Sequence, residues 1–279
     1  RCMECGLEFV NPLPSEEHLE ENYAQEMKSD AKGTPYFLEY INERTHRAHS
    51  FEKVYKSRLD LIERFSGHQG NLLDIGCSAG FFLQYAQSRG WNCHGIDLLS
   101  EYIEYGRRTF QLKNLHSEPL ENIPFEPEYF DVATLWDLIE HLQHPLSYLR
   151  RVHEILRPGG LLAVWTPNTK NAVCLKDQWT GYWPRQHLYF FSRDTLNNLL
   201  ERAGFRIVFC KTTKTKKGLF RSQDSLTFEK IVKPEKALSR TWFAVKRDFG
   251  NFINPMTYLS PLLDRTGYGF NLLVIASKQ

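Results

Sequence analysis

The chain has 279 residues, 42% of them hydrophobic and 24% charged, and a formal net charge of +2. That length holds one large domain or a domain with an appendage, and the composition is that of a globular protein, not a disordered or collagen-like one. Nearly balanced charge forces no electrostatic partner on the chain as a whole, and no apolar run approaches the roughly 20 residues of a membrane helix.

The N-terminus, RCMECGLEF, carries no apolar signal-peptide core. Residues 1–35 form a leader that opens on the pair Cys2-x-x-Cys5, its first stretch, to about Asn22, loop-like and rich in Pro and Glu. From Tyr36 to Phe65 apolar residues recur at helical spacing without Pro or Gly, so one long or broken helix is expected, with residues 36–70 acting as a helical lid. A regular alternation follows. NLLDIG reads as a strand, AGFFLQYAQSRG as a helix stopped by Gly90, NCHGID as a strand and LLSEYIEYGRRTF as a helix. LKNLHS is a weak strand candidate. FDVATLW is a strand, PLSYLRRVHEIL a helix, GGLLAVWTP a strand and SRDTLNNLLERAG a helix, with Ser192 as N-cap and Gly204 as stop. FRIVFCKTT is a strand, and GYGFNLLVIASKQ closes the chain as another, pairing with it.

Strands alternating with helices of this length predict an α/β fold: a mostly parallel, Rossmann-like sheet covered on both faces. The expected core is 71–218 plus 266–279. Residues 219–265 become an insertion, a lid or an acceptor-binding segment. The tract KTTKTKKGLFR before it is either a plain basic loop or a contact for a membrane surface or anionic substrate. Cys77, Cys93, Cys174 and Cys210 stand singly, as reduced thiols in a cytoplasmic protein do.

The loop LLDIGCSAG ends the first strand of the alternation, where an open α/β sheet binds its ligands. Gly76 and Gly80 let backbone approach a ligand closely, and a helix starting near Ala79 aims free N–H groups at the same spot. Asp97 ends the next strand about 20 residues on, where an acid accepts hydrogen bonds from ribose hydroxyls. A nucleoside-containing ligand is therefore indicated. Gly-x-Gly-x-x-Gly fails at Ser78, and Asp74 before the bend suits a cationic ligand better than a pyrophosphate.

Asp74-x-Gly76-x-x-x-Gly80, Asp97, the Phe130-Asp131 strand start and LRPGG (Leu156 to Gly160), in this order, resemble the class I methyltransferases that use S-adenosylmethionine. The resemblance implies a seven-stranded sheet with an antiparallel last strand. It places Gly76, Cys77, Ser78 and Gly80 around the methionine part of the cofactor, Asp97 on the ribose and Leu98 on the adenine. Glu118, Pro119 and Leu120 fall where such enzymes line the adenine edge, and Trp136 falls near the methionine moiety. Trp136 is alternatively a core residue, Asp74 a cap for the loop's own N–H groups, and Cys77 a small packing residue.

The fourth strand of the alternation runs into WDLIEHLQHP. Asp137, Glu140 and His141 stand at i, i+3 and i+4, on one face if this is a helical turn. His187 follows in PRQHLYFFS. Clustered carboxylates and imidazoles are costly unless they serve a ligand. The pattern is similar to the ubiquinone-biosynthesis O-methyltransferases, and to 2′-O-methyltransferases acting on small-RNA ends. The second resemblance makes Asp137, Glu140, His141 and His187 metal ligands for Mg2+, Mn2+ or Zn2+. The other options are a metal-free site with His141 or His187 as general base beside Glu140, or a hydrogen-bonded pair shaping the strand exit. Trp179, Tyr182, Trp183, Tyr189, Phe190 and Phe191 form either an apolar acceptor pocket or core.

Cys2-x-x-Cys5-Gly is one knuckle of a zinc ribbon, which needs about four ligands, and the chain holds no second such pair. The leader resembles that of bacterial small-molecule methyltransferases in which another C-x-x-C precedes it. Without that partner the expectation is no bound zinc. The function expected from all this is O-methylation of a small hydroxylated molecule: a phenol or quinol, a sugar or a lipid-linked intermediate. The alternatives are an RNA 2′-O-methyltransferase, and a non-catalytic protein that binds the cofactor.

Overall fold

Buried apolar strands and amphipathic helices in alternation can both be satisfied by one central sheet with helices on each face. The computed structural model describes residues 1–15, 19, 35–172, 179, 181–183, 186–213 and 264–279. Its elements are β1 (Glu8–Phe9), α1 (Tyr36–His46), α2 (Ala48–Ser66), β2 (Asn71–Ile75), α3 (Phe81–Ser88), β3 (Asn92–Ile96), α4 (Ser100–Phe110) and β4 (Asn114–His116). Then come β5 (Phe130–Trp136), α5 (Pro145–Ile155), β6 (Leu156–Pro167), β7 (Tyr189–Phe190), α6 (Arg193–Arg202), β8 (Phe205–Thr213) and β9 (Asn271–Lys278). The insertion expected at 219–265 and the basic tract beyond Thr213 fall almost wholly outside the described residues.

The main sheet has seven strands in the order β4-β3-β2-β5-β6-β9-β8. Neighbours are parallel except that β9 runs antiparallel to both β6 and β8. The expected Rossmann-like sheet with an antiparallel last strand is thus present. β5 is buried along nearly its whole length and β9 throughout, as strands covered on two faces must be. One apolar cluster packs Leu149, Val152, Ile155, Leu196 and Leu200 of α5 and α6 on one face. The other packs Leu59, Ile62, Leu83, Ala86 and Ile103 of α2, α3 and α4 on the opposite face.

Strand order reverses between β2 and β5, so the loops after these two strands open onto one crevice. This places Gly76–Gly80 and Trp136–His141 side by side.

Local departures have local causes. The long or broken helix expected over 36–65 is the broken one, two helices interrupted at Arg47, whose φ of −110° leaves the α region. The helix expected near Ala79 starts at Phe81, because Gly80 takes a left-handed conformation first. Ser192 caps α6 through a capping box with Thr195, an arrangement that stabilises by about 1 kcal/mol. A two-stranded sheet pairs β1 with β7, matching Glu8 to Phe190 and Phe9 to Tyr189. The leader is therefore joined to the segment that carries His187.

Candidate functional site

The loop after β2 is shaped by backbone bonds. Gly76 N–H and Cys77 N–H both donate to the Ile96 carbonyl, at 2.8 and 2.9 Å. Ser78 N–H donates to Asp97 Oδ2 at 2.8 Å, and Leu99 N–H to Asp97 Oδ1 at 3.0 Å. Asp97 thus spans two loops while each of its oxygens keeps a further lone pair. Gly76 has φ +76° and its Cα faces the Leu138 side chain, so an added Cβ would sit 3.3 Å from it. Ser78 has φ +47°, a conformation that costs a non-glycine residue about 1 kcal/mol or more and clusters at functional sites. Among the described residues no side chain caps the N-terminus of α3.

Asp74 is buried and accepts from the Thr134 hydroxyl at 2.6 Å. Burial pushes its carboxyl up to about 7, against the pull of Thr134 and of Arg58 nearby. The sequence leaves Asp74 as a contact for a cationic ligand or a cap for the loop. The loop N–H groups of Gly76, Cys77 and Ser78 go to Ile96 and Asp97 instead.

Leu98, beside Asp97, is an apolar side chain left 59% exposed. Pro119 is exposed, whereas Leu120 is fully buried in the core against the α5 and α6 face. Cys77 is buried, and burial holds its thiol well above the usual range, which fits a packing residue and not a nucleophile. Trp136 is half-buried. Its ring meets Phe82 edge-on at 5.5 Å, and its enclosed Nε1 has no hydrogen-bond partner among the described residues.

The two helices before the sheet supply groups that the sequence reading did not select. The Arg58 guanidinium lies 4.3 Å from the centre of the Trp136 ring and 5.3 Å from that of Trp165. Burial lowers its pKa, while the charges of Asp137 and Asp74 oppose that. In α1, Tyr40 carries Arg44 3.6 Å over its ring. Phe37 and Tyr40 pack on Tyr102 of α4 at 5.2 and 5.0 Å. One signal was available. Phe51, Tyr55, Arg58, Ile62 and Phe65 recur at spacings of four and three, so Arg58 is a cation in an apolar stripe.

Beyond β5 the chain turns through Asp137, whose φ is +54° and whose N–H donates to Trp165 O at 2.8 Å. A 3-10 turn at Ile139–His141 follows. The single helical face expected for Asp137, Glu140 and His141 is not formed, because the left-handed Asp137 precedes the turn. Asp137 is exposed, while Glu140 and His141 turn inward.

There His187 joins them, and ligand-capable atoms of Glu140, His141 and His187 all lie within 4.8 Å of one another. Asp137 is outside that group. The two imidazoles meet edge-on, 4.8 Å between ring centres. His141 Nδ1 bonds the Gln186 carbonyl at 3.0 Å and His187 Nδ1 bonds the Gly181 carbonyl at 2.8 Å. A carbonyl only accepts, so both Nδ1 atoms carry the proton and both Nε2 atoms keep a lone pair. Burial, then the neighbouring His187, pulls His141 down to about 4, and burial lowers His187 as well. Glu140 accepts from Thr166 Oγ1 at 2.9 Å through Oε2, while its buried Oε1 has no hydrogen-bond partner among the described residues. Burial, reinforced by the Asp137 charge, pushes the Glu140 carboxyl up to about 8.

Residues 37–209 match the methyltransferase domain family. The chain belongs to it. At 31% identity over 118 residues it is similar to a ubiquinone biosynthesis O-methyltransferase of Aeromonas salmonicida, covering 40% of this chain and 50% of that protein. The chain thus spans about half the length of that curated relative. A SAM-dependent methyltransferase from Archaeoglobus fulgidus shares the fold at 21% identity and a TM-score of 0.54, over 81% of this chain and 94% of that one. The 1,6-didemethyltoxoflavin-N1-methyltransferase of Burkholderia thailandensis, solved with S-adenosylhomocysteine, aligns with 100% of this chain and 98% of its own, at 14% identity and a TM-score of 0.57.

Of the six aromatic residues expected around His187, Trp179, Phe190 and Phe191 are buried, and Tyr189 is half-buried. Tyr182 is 66% exposed and Trp183 is 48% exposed, with the Trp183 ring 6.0 Å from that of His187. No described helix is long and apolar enough to cross a membrane.

Proposed function

We propose that the chain is an S-adenosylmethionine-dependent O-methyltransferase acting on a small hydroxylated acceptor, a phenol or quinol before a sugar. The observation that carries this reading is the trio Glu140, His141 and His187 beside a Gly76–Gly80 loop bounded by Asp97. When bound, S-adenosylmethionine supplies a methyl group on a positively charged sulfur. Asp74 and the uncapped start of α3 fit the charged methionine end, Asp97 the ribose and exposed Leu98 the adenine. Arg58 and Arg44, the cations that α2 and α1 bring to the crevice, fit the methionine carboxylate.

The acceptor oxygen then attacks the methyl carbon in line as the carbon–sulfur bond breaks, its electron pair staying on the sulfur. The hydroxyl proton passes to the Nε2 lone pair of His141, with His187 and Glu140 as further hydrogen-bond partners. Fixing Nδ1 on a carbonyl keeps each imidazole in the tautomer this transfer needs. The same donor set, a Glu140 carboxyl whose Oε1 has no hydrogen-bond partner among the described residues and two neutral imidazoles, fits a divalent cation once the carboxyl gives up its proton. Glu140, His141 and His187 would hold it, and such an ion lowers the pKa of an acceptor hydroxyl. The exposed Trp183 and Tyr182 suit a planar ring, and the name of the curated relative favours a quinol or phenol. The reading places the protein in the cytoplasm.

The test is methyl transfer from labelled cofactor to a panel of catechols, monophenols and sugars, with and without a chelator. Turnover on a catechol supports the reading. Labelling of short RNA in place of every small acceptor defeats it.

A further inference from the structure

The trio is drawn from two stretches of chain: the turn after β5 that carries Glu140 and His141, and the segment before β7 that carries His187. Three hydrogen bonds cross between these stretches. His141 Nδ1 bonds the Gln186 carbonyl at 3.0 Å, Leu188 N–H donates to Glu140 O at 2.8 Å, and Tyr189 Oη donates to Gln143 O at 3.0 Å. The first uses a ring of the trio and the second is backbone alone. The third is made by a side chain outside the trio, two residues past His187, and it ends two residues past His141. Burial raises the Tyr189 phenol, so it keeps the proton this bond needs. Gln143 has a second tie: its Nε2 donates to Pro14 O of the leader at 3.0 Å. The leader is held to the His187 stretch as well, by Val10 N–H donating to Leu188 O at 2.9 Å and by the β1–β7 pairing that sets Phe9 against Tyr189. Gln143 Oε1 is enclosed with no hydrogen-bond partner among the described residues, a desolvation cost that an apolar residue at this place would avoid. What the amide offers in return is the tie to the leader.

We propose that Tyr189 and Gln143 are positioning residues, a clasp that holds His187 against His141 and Glu140 with the leader strand as its third member. The inference rests on the trio being the acceptor site. The 3-10 turn holds three residues and β7 two, too short to fix side chains by their own backbone bonds. The two imidazoles nevertheless meet with ring centres 4.8 Å apart. Taking a proton from one acceptor, or sharing one cation, needs both Nε2 lone pairs aimed at a common point. Tyr189 and Gln143 act on that aim through the segments they join. The leader thereby becomes part of the catalytic unit. It serves turnover and not cofactor binding, because Val10 and Pro14 bond Leu188 and Gln143, neither of which belongs to the Gly76–Gly80 loop.

The experiment compares the full chain with two variants. Tyr189→Phe removes one hydroxyl and keeps the ring, which stacks on Phe191 with centres 6.1 Å apart, so the fold should survive. Gln143→Met keeps the length of the side chain and removes the donor to Pro14. The first readout needs neither cofactor nor acceptor: NMR of histidine-labelled protein, following the NOE between the His141 and His187 rings. The unaltered chain should show it, and each variant should lose most of it. The second readout is steady-state turnover on the best acceptor among the catechols, monophenols and sugars. There kcat should fall about ten-fold to a hundred-fold, because a misplacement of about 1 Å costs about a hundred-fold. Cofactor affinity and the acceptor KM should stay within about two-fold, the split expected when only the transition state loses support. An intact NOE in both variants overturns the proposal, whatever turnover does. A large loss of cofactor affinity alongside the NOE also overturns it, by assigning both residues to general structure. A lost NOE with unaltered turnover supports the clasp and defeats the acceptor reading of the trio, so the two claims fail separately.

Discussion

Asp74→Asn should make the ligand-free protein more stable at alkaline pH while weakening its hold on the cofactor. The carboxyl is 2% exposed and sits at about 7, against 3.8 in water. Its folded pKa is raised, so the stability it contributes is complete below about pH 4 and is lost as pH climbs to about 7. At about 1.4 kcal/mol per pH unit, the whole gap amounts to about 4 kcal/mol. Between pH 5 and pH 7 the wild-type chain should lose about 2–3 kcal/mol that the Asn variant keeps. Asn still accepts from Thr134, and the variant forfeits the attraction to Arg58, which trims the gain at every pH above 7. Urea unfolding of both proteins from pH 5 to pH 8 isolates this one group, since the other titrations are shared. Binding S-adenosylmethionine should reverse the order, because its positive groups offset the buried charge and Asn offers none. A stability difference that does not change with pH would refute the reasoning.

His141→Ala should abolish turnover and leave cofactor affinity within a few-fold; measurable turnover would mean the acceptor site is misplaced. Asp97→Ala should weaken cofactor binding by about 1–3 kcal/mol in calorimetry, the range for a removed charged hydrogen-bond partner; unchanged affinity would count against the ribose role. Arg58→Met keeps the packing on Trp136 and removes the charge, so the dissociation constant for S-adenosylhomocysteine should rise at least ten-fold. If the divalent cation assists, EDTA should suppress activity and Mg2+, Mn2+ or Zn2+ should restore it, whereas indifference to chelation leaves the imidazoles to act alone.

The sheet and the cofactor loop were legible because their signals are local. NLLDIG and FDVATLW are apolar runs too short for helices, and Gly76, Gly80 and Asp97 occupy positions set by strand ends. The meeting of Glu140, His141 and His187 was legible only in its residue types. Their convergence rests on tertiary bonds, Leu188 N–H to Glu140 O and His141 Nδ1 to Gln186 O, between segments far apart in the chain that carry no shared periodic pattern. Arg58 and Tyr40 were missed for a related reason. They lie on helices that looked like a generic lid, and what they face depends on how α1 and α2 pack across the crevice. Asp137 was misplaced because a left-handed residue before a 3-10 turn leaves no trace in i, i+3, i+4 spacing. The aromatic run around His187 divided into core and surface according to tertiary packing, which residue type alone does not decide.

The most direct measurement is calorimetric titration of the purified chain with S-adenosylhomocysteine at pH 8, where Asp74 is ionised. One nucleoside per chain, bound with measurable heat and accompanied by a rise in melting temperature, is the predicted result. A flat titration together with an unshifted melt would contradict the claim that the crevice between β2 and β5 is built for an adenosyl ligand.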